Sequence, residues 1–324
     1  MNKRECVPLE LRSGDIIFSR IDWADTAFRI TYGRPVAPLI HSLQTIGLQN
    51  PPVLQEKEGD RLRIVAGFRR LQALQKIGRE PISCKIAPAG TERKRLFLFN
   101  FHENMDRGFN PVEQSWIVKK LSIFMRERES IQDYLPWMNL PAKMEIYKRY
   151  LSTSGISPIY WSALLEGRLF PETIERVNRD FLPIANLIFT LFISLHFGFQ
   201  KQKEFLADLE EIGKRGLGES ATFLFSETVV EHLRQINRTP QQKGDALRKY
   251  FRSCLYPFLT DMEKAFQKKV SLLGLDQRTR LSPPPCFEGG HYGLEIKFSN
   301  SKELSESLGK ISQALRDRKL EDLP

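Results

Sequence analysis

Residues 63–78, RIVAGFRRLQALQKIG, join an apolar strand to a helix through a single glycine. The RIVA segment is typical of a buried strand, and Leu71, Leu74 and Ile77 repeat at helical spacing before Gly78 ends the helix. Gly67 permits the turn between them because it lacks a Cβ atom. A strand that leads directly into an amphipathic helix has to pack as part of a sheet with helices on it, which constrains the fold strongly.

The segments around this unit continue the alternation of strands and helices. PLIHSLQTIG predicts a helix that stops at Gly47, and PPVLQEKEGDRLRIVAG predicts a hairpin around an Asp/Gly turn. EPISCKIA predicts one further strand. The pattern therefore indicates a small α/β or α+β unit.

Helices dominate the rest of the chain. ERKRLFLFNFHENMDR predicts one helix, and NPVEQSWIVKKLSIF predicts the next, with Asn110, Pro111 and Glu113 forming its capping box. HYGLEIKFS then predicts a strand and SKELSESLGKISQAL a capped helix near the end. We expect an α+β fold with a small domain of strands and helices at 1–125, a helical domain at 126–215 and a basic helical region with a terminal strand and helix at 216–324.

The charge balance favours polyanionic partners. The chain carries 49 lysines and arginines against 39 acidic residues, a formal net charge of +10. Such an excess is typical of proteins that bind nucleic acid or nucleotides, although a merely basic protein would share it.

The cysteines and the longest apolar run point to the cytoplasm. The four cysteines are far apart and form no CxxC pair, which argues against a zinc site or a disulfide framework. The N-terminus lacks the apolar core of a signal peptide. The apolar run at 181–199 is interrupted by Pro183, Asn186 and His196, so it predicts a buried helix and no membrane partner.

Two arginines at a helix start suggest an anion site. The amides of a helix N-terminus bind anions, and Gly67 allows close approach of the backbone. Arg69 and Arg70 add forked donors suited to phosphate. The alternative is two exposed arginines on a surface helix, and no G-x-x-x-x-G-K-[ST] loop occurs in the sequence.

A second polar stretch, HENMDRGFNPVEQ, carries candidate metal ligands. Glu103 and Asn104 supply the carboxylate and amide oxygens that Mg²⁺ accepts alongside phosphate, and Arg107 supplies a cation. The alternative is a polar turn between two helices, held by its caps.

Together these stretches resemble the ParB partition family. GFRRLQA is similar to the GERRxRA box of that family, and ENMDRGFNPVEQ is similar to its ENxQR…LNPxEE box. LIHSLQTIGLQNPPVL resembles its first box, roughly SI…GLxQPxxV. The three boxes stand in the family's order, so the resemblance covers residues 35–125.

The resemblance implies a CTP site with magnesium. In the family, CTP binding closes two N-terminal domains over DNA as a sliding clamp, and hydrolysis helps to reopen it. We therefore expect a homodimer, associated with the nucleoid, that partners DNA and a nucleoside triphosphate. The matching positions are Gly67, Arg69 and Arg70 for phosphate, Glu103 and Asn104 for metal and nucleotide, Arg107 as their basic partner, and Ser42, Gly47, Asn50 and Pro51 near the base and ribose.

Two positions depart from the family pattern. Phe68 stands where the family has glutamate, and a phenyl ring neither ligates metal nor orients water. Asn50 stands where the first box has glutamine. The resemblance therefore implies nucleotide binding more firmly than hydrolysis or a base preference.

In the family a helix-turn-helix domain follows and reads DNA. The segment at 135–167 is helical in pattern and basic, and Lys143, Lys148, Arg149 and Arg168 are candidate phosphate contacts. A solvated basic face is the alternative, and no helix rich in short polar residues stands out for base readout.

Two other functions remain open at this point. The family's fold also resembles sulfiredoxin, a free-serine kinase and proposed nucleases, so the chain could be an enzyme. Cys84 is the cysteine nearest to the phosphate box, but it lies in an apolar strand pattern. A scaffold that has lost nucleotide hydrolysis is the other alternative, and Phe68 favours it.

Overall fold

The computed structural model describes residues 8–317. The chain divides into two compact units, with the boundary between Ser194 and Leu195.

The first unit is built on a five-stranded mixed sheet with the order β1-β5-β3-β4-β2. β3 and β4 pair antiparallel, which confirms the predicted hairpin, whereas β3 runs parallel to β5. The strands are β1 (Arg12–Ile16), β2 (Ile21–Asp22), β3 (Val53–Glu56), β4 (Leu62–Ala66) and β5 (Ile82–Ala87).

Helices cover this sheet and then continue the chain. The helices of the first unit are α1 (Ala37–Ile46), α2 (Phe68–Ile77), α3 (Arg93–Met105), α4 (Pro111–Phe124), α5 (Glu127–Glu129), α6 (Met144–Thr153), α7 (Trp161–Leu165), α8 (Pro171–Asp180) and α9 (Ala185–Ser194).

Both faces of the neighbouring strands β3 and β4 are buried, which explains why these two strands are mostly apolar. Leu54 and Ile64 belong to one buried cluster with residues of α1 and α2. Val53 and Val65 belong to the other, with residues of α3 and α4. Successive side chains of a strand point to opposite faces, so an alternating polar pattern would leave one of these clusters incomplete.

Two local predictions for the phosphate region are confirmed. Gly67 adopts a φ of 88° immediately before α2, and a Cβ atom there would lie 3.0 Å from the Cα of Pro52. Asn110 and Glu113 form the predicted capping box at the start of α4. The glycine is required by both its backbone conformation and its close packing.

The second unit is helical and ends in a small strand pair. Phe205 of α10 and Phe251 of α13 are fully buried, and their ring centroids lie 5.1 Å apart. Its elements are α10 (Phe199–Lys214), α11 (Ser220–Leu224), α12 (Glu227–Arg234), α13 (Pro240–Leu255), α14 (Pro257–Leu272), β6 (Thr279–Ser282), β7 (Gly293–Ile296) and α15 (Ser301–Arg316).

The observed architecture confirms the expected fold class: a small mixed sheet with helices, then a mostly helical body, then a short strand pair and helix. The domain boundaries placed after residues 125 and 215 stay predictions. No helix within residues 8–317 is long and apolar enough to cross a membrane.

Candidate nucleotide site

Arg70 joins the three sequence boxes at one place. Its Nη1 donates a hydrogen bond of 2.7 Å to the carbonyl oxygen of Asn50. Its Nη2 lies 3.3 Å from Oε2 of Glu103. The start of α2, the segment after α1 and the end of α3 therefore meet around one guanidinium.

Arg69 lies on the same turn but makes different contacts. Its Nη2 donates to the carbonyl oxygen of Pro35 at 2.6 Å. Its Nε is buried and has no hydrogen-bond partner in the structure. Burial, together with the nearby cation of Arg34, lowers the pKa of Arg69 below the usual arginine value. A buried donor without an acceptor costs free energy, so an additional anion at this position would be stabilising.

Glu113 is the internal counter-ion of this region, and its side chain is 0% exposed. Its carboxylate accepts from Arg34 at 2.9 Å and from Arg107 at 3.0 Å. The same side chain accepts from the backbone amides of Tyr32 and Asn110 at 3.1 Å each. The capping glutamate of α4 thus also orients two arginines.

The charges in this region do not balance. We call Arg34, Arg69 and Arg107, together with Glu113, the basic cluster. Burial lowers the pKa of Arg107, and the cations of Arg34 and Arg69 act in the same direction, whereas Glu113 opposes the shift. Arg34 and Arg107 pair with the one carboxylate, and Arg69 lies near enough for Arg34 and Glu113 to affect its pKa. Three cations and one anion leave an excess of positive charge suited to a polyanion.

The predicted metal ligands lie beside the cluster at the end of α3. Glu103 is exposed and pairs with Arg70, whereas the amide oxygen of Asn104 accepts from Nε of Arg107 at 2.8 Å. Within residues 8–317 no group of three or more His, Cys, Asp or Glu side chains is arranged to hold a metal. Phosphate oxygens would therefore have to complete any Mg²⁺ shell here.

The convergence of the three boxes agrees with the comparison of the sequence with known families. Residues 32–104 match the family model of the ParB N-terminal domain. This ParB-like domain includes Arg34, Arg69, Arg70 and Glu103, whereas Arg107 and the rest of the chain lie beyond the matched residues.

Two solved structures of C-terminally truncated ParB, the chromosome-partitioning protein of Caulobacter crescentus, are similar to the chain at 18% identity. The one complexed with CTP-gamma-S has a TM-score of 0.25, with 54% of this chain and 98% of that chain covered. The one complexed to the centromeric parS site has a TM-score of 0.32, with 55% and 91% covered. Alignments at these TM-scores establish neither a shared ligand nor a shared DNA site. A comparison with curated proteins found no match.

The first-box residues of the ParB-like domain surround the end of α1. Gly47 ends this helix with a φ of 75°, and Asn50 reaches Arg70 through its backbone carbonyl. Ser42 is half-buried on α1, and within residues 8–317 no hydrogen bond joins its side chain to the arginines. Pro51 directly follows Asn50, and roles near a base or ribose stay predictions for all four.

Phe68 takes the place of the family's glutamate without polar contacts. It is the first residue of α2 and packs against the buried cluster beneath α1 and α2. The side chain at this position therefore contributes to the core, and a phenyl ring offers no ligand for a metal or for water.

The four candidate DNA contacts occupy different environments. The side chain of Arg149 is 14% exposed, and its guanidinium pairs with three carboxylates, those of Glu145, Glu172 and Glu175. Arg168 pairs with Glu166 at 2.6 Å. Lys143 and Lys148 are exposed and form no ion pair with any residue between 8 and 317. DNA contact stays a prediction for all four. The ammonium groups of Lys143 and Lys148 are not neutralised by a carboxylate within residues 8–317, so they are the better candidates to contact a phosphate.

Arg34 is a candidate site residue that the sequence boxes did not include. It lies in the TYGRP segment before α1, and it contacts Glu113 across 79 residues of chain. A basic residue just before a helix at the edge of the first box was the available signal. Its ion pair with Glu113 could not be predicted from the sequence, because only the tertiary structure brings the two residues together.

Proposed function

We propose that the ParB-like domain and the adjoining start of α4 bind a nucleoside triphosphate, expected to be CTP, at the basic cluster and the start of α2. Arg69 and Arg70 stand in the first turn of α2, and the backbone amides of a helix N-terminus favour phosphate. The single observation that carries the proposal is the excess of positive charge: Glu113 pairs with both Arg34 and Arg107, and the nearby Arg69 has a buried Nε that lacks an acceptor.

Magnesium would enter with the nucleotide. The exposed carboxylate of Glu103 is available as one ligand, since its contact with Arg70 at 3.3 Å is the one ion pair it makes within residues 8–317. Mg²⁺ commonly binds one or two carboxylates and takes its other ligands from phosphates and water. Asn104 would support the site through Arg107, to which its amide oxygen is already bonded.

The nucleotide would act as a switch on DNA binding. We infer a homodimer whose two ParB-like domains close over DNA when the nucleotide binds, in DNA partition or in gene control. A protein of this kind would be cytoplasmic and associated with the nucleoid. The formal charge of +10 and the exposed Lys143 and Lys148 support contact with a polyanion.

The enzyme alternatives receive less support. Burial raises the pKa of the Cys84 thiol to about 12, so this cysteine is a poor nucleophile for sulfiredoxin-type chemistry. Metal-dependent nucleases depend on clustered acids, and the described chain offers only Glu103 and Asp106 at the end of α3. Phe68 favours a protein that binds its nucleotide and hydrolyses it slowly or not at all.

A thermal-shift panel tests the nucleotide. A ligand at about 100 times its Kd stabilises the folded state by about 2.7 kcal/mol, which is about 5–10 °C for a unit of 150–250 residues. We expect CTP with Mg²⁺ to produce this shift, EDTA to reduce it and Arg70→Ala to abolish it. Arg79→Ala is the matched control, because Arg79 is exposed just beyond α2. A panel in which no nucleoside triphosphate moves the Tm would refute the proposal.

Salt dependence tests the DNA partner separately. The affinity for duplex DNA should fall linearly in a log–log plot against salt. Lys143→Ala combined with Lys148→Ala should lower the slope by about one for each lost phosphate contact, whereas Lys76→Ala on α2 should leave it unchanged. An affinity that ignores salt, or equal slopes for all variants, would contradict a phosphate-binding role for these lysines.

A further inference from the structure

A second cationic cavity lies in the first unit, formed by α4, the start of α7, the residue after α6 and the segment before α1 that carries Thr26 and Arg29. Its volume is about 300 Å³, at the lower end of the range for small-molecule pockets. The side chains that carry the argument are Arg29, Trp116, Lys119, Lys120, Ser154 and Trp161. None of these belongs to the basic cluster or to the three sequence boxes.

The three cations of this cavity lack counter-ions. Within residues 8–317, none of Arg29, Lys119 and Lys120 forms an ion pair with a carboxylate. The nearby acid, Asp25, is already engaged by Lys57 at 3.0 Å and Arg63 at 2.6 Å. Most arginines of this unit are ion-paired, so three unpaired cations around one cavity form a distinct anion-attracting site.

Lys120 is partly buried yet bonded only to neutral acceptors. Its Nζ donates to the carbonyl oxygen of Ala27 at 2.5 Å and to that of Thr26 at 3.5 Å. Burial lowers the pKa of Lys120 to about 8, and the cation of Arg93 adds to the effect. An anion bound beside it would supply the missing opposite charge.

Two indoles provide an aromatic wall. The rings of Trp116 and Trp161 meet edge to face, with centroids 4.8 Å apart and an interplanar angle of 74°. Both indoles line the cavity, and each also meets the ring of Tyr32 edge to face, with centroids 5.6 and 5.4 Å apart. The guanidinium of Arg29 lies over the Trp116 ring, 5.9 Å from its centroid, so a cation and an aromatic ring adjoin in the lining of the cavity.

We propose that this cavity binds a phosphate group attached to a flat ring, with the ring against the indoles and the phosphate held by Arg29, Lys119 and Lys120. A forked guanidinium and two ammonium groups suit a phosphate dianion better than a carboxylate. The ligand is either a free aromatic phosphate or one unpaired nucleotide of a single strand, whose base would stack on the indoles. The proposal does not rest on the nucleotide site of the ParB-like domain.

Indole NMR signals of the full chain test this assignment directly. The four tryptophans give four Nε1–H resonances, which Trp116→Phe and Trp161→Phe assign. Titration with phenyl phosphate should shift the Trp116 and Trp161 signals saturably and leave Trp23 and Trp137 unmoved. Phenol has the ring without the phosphate, and inorganic phosphate lacks the ring. Each should bind at least about tenfold more weakly than phenyl phosphate.

Variants separate this cavity from the nucleotide site. Arg29→Ala combined with Lys119→Ala should weaken phenyl phosphate by about tenfold or more, while Lys143→Ala with Lys148→Ala should have no effect. Arg70→Ala should also leave the shifts intact. Titrations with thymidine monophosphate and with oligothymidylate then distinguish the two sources of the ligand. A free nucleotide is favoured if thymidine monophosphate saturates the indole shifts at the lower concentration, and a single strand is favoured if oligothymidylate does. Absence of saturable shifts, equal binding of phenol, or indifference to the Arg29/Lys119 variant overturns the proposal.

Discussion

Replacing Glu113 by glutamine tests whether one buried carboxylate holds the basic cluster together. Each of its oxygens accepts from a backbone amide and from Arg34 and Arg107, at 2.9–3.3 Å. Glutamine keeps the shape but turns one acceptor into a donor that faces other donors. Removing one partner of a buried ion pair costs about 3–5 kcal/mol. Arg34 and Arg107 are 25% and 20% exposed, so water screens them and we expect the lower end, about 3 kcal/mol.

The assay is urea unfolding followed by tryptophan fluorescence, since Trp116 lies one helical turn after Glu113 on α4. In a thermal melt of the same variant, a loss of about 3 kcal/mol in the free energy of unfolding corresponds to a Tm lower by about 6–12 °C for a unit of this size. Glu58→Gln is the matched control, because Glu58 is exposed in the β3–β4 turn. A loss below about 1 kcal/mol for Glu113→Gln would refute the view that this carboxylate neutralises the arginines.

Three further changes have defined outcomes. Gly67→Ala should destabilise the first unit by about 1–2 kcal/mol in urea unfolding, because a φ of 88° is unfavourable for L-residues; a neutral effect would contradict the strain argument. Cys84, with its pKa raised to about 12, should stay unlabelled by a thiol reagent at pH 8 in the folded protein, whereas the exposed Cys286 reacts. Hydrogen bonds from hydroxyl groups hold the folded-state pKa of Asp276 at about 2, below its ordinary 3.8. Asp276 should therefore contribute stability that is complete above about pH 4 and lost as the pH falls towards 2; acid unfolding of Asp276→Asn, followed by circular dichroism, should lack this part of the transition.

Local features of the site were predictable because they depend on neighbours in the chain. Gly67 before α2, Gly47 after α1 and the capping pair Asn110–Glu113 each satisfy a backbone requirement within a few residues. The hairpin of β3 and β4 is local in the same sense. Such features depend on the backbone conformations and hydrogen bonds of residues close together in the sequence, so they can be predicted without knowing the distant contacts.

The charge balance of the site was decided only by the tertiary structure. Arg34 meets Glu113 across 79 residues, and Arg70 meets Glu103 across 33. The sequence also could not distinguish Arg149, which three carboxylates neutralise, from Lys143 and Lys148, which keep their charge.

The amino-acid sequence by itself determined where the helices and strands of the phosphate region begin and end, and which residue types stand there. Folding of the first unit decided which cations are neutralised and which are left to attract an anion. The physical reason is that a backbone turn is set by the few residues that form it. An electrostatic site instead depends on distances between side chains that only the packed sheet and helices fix.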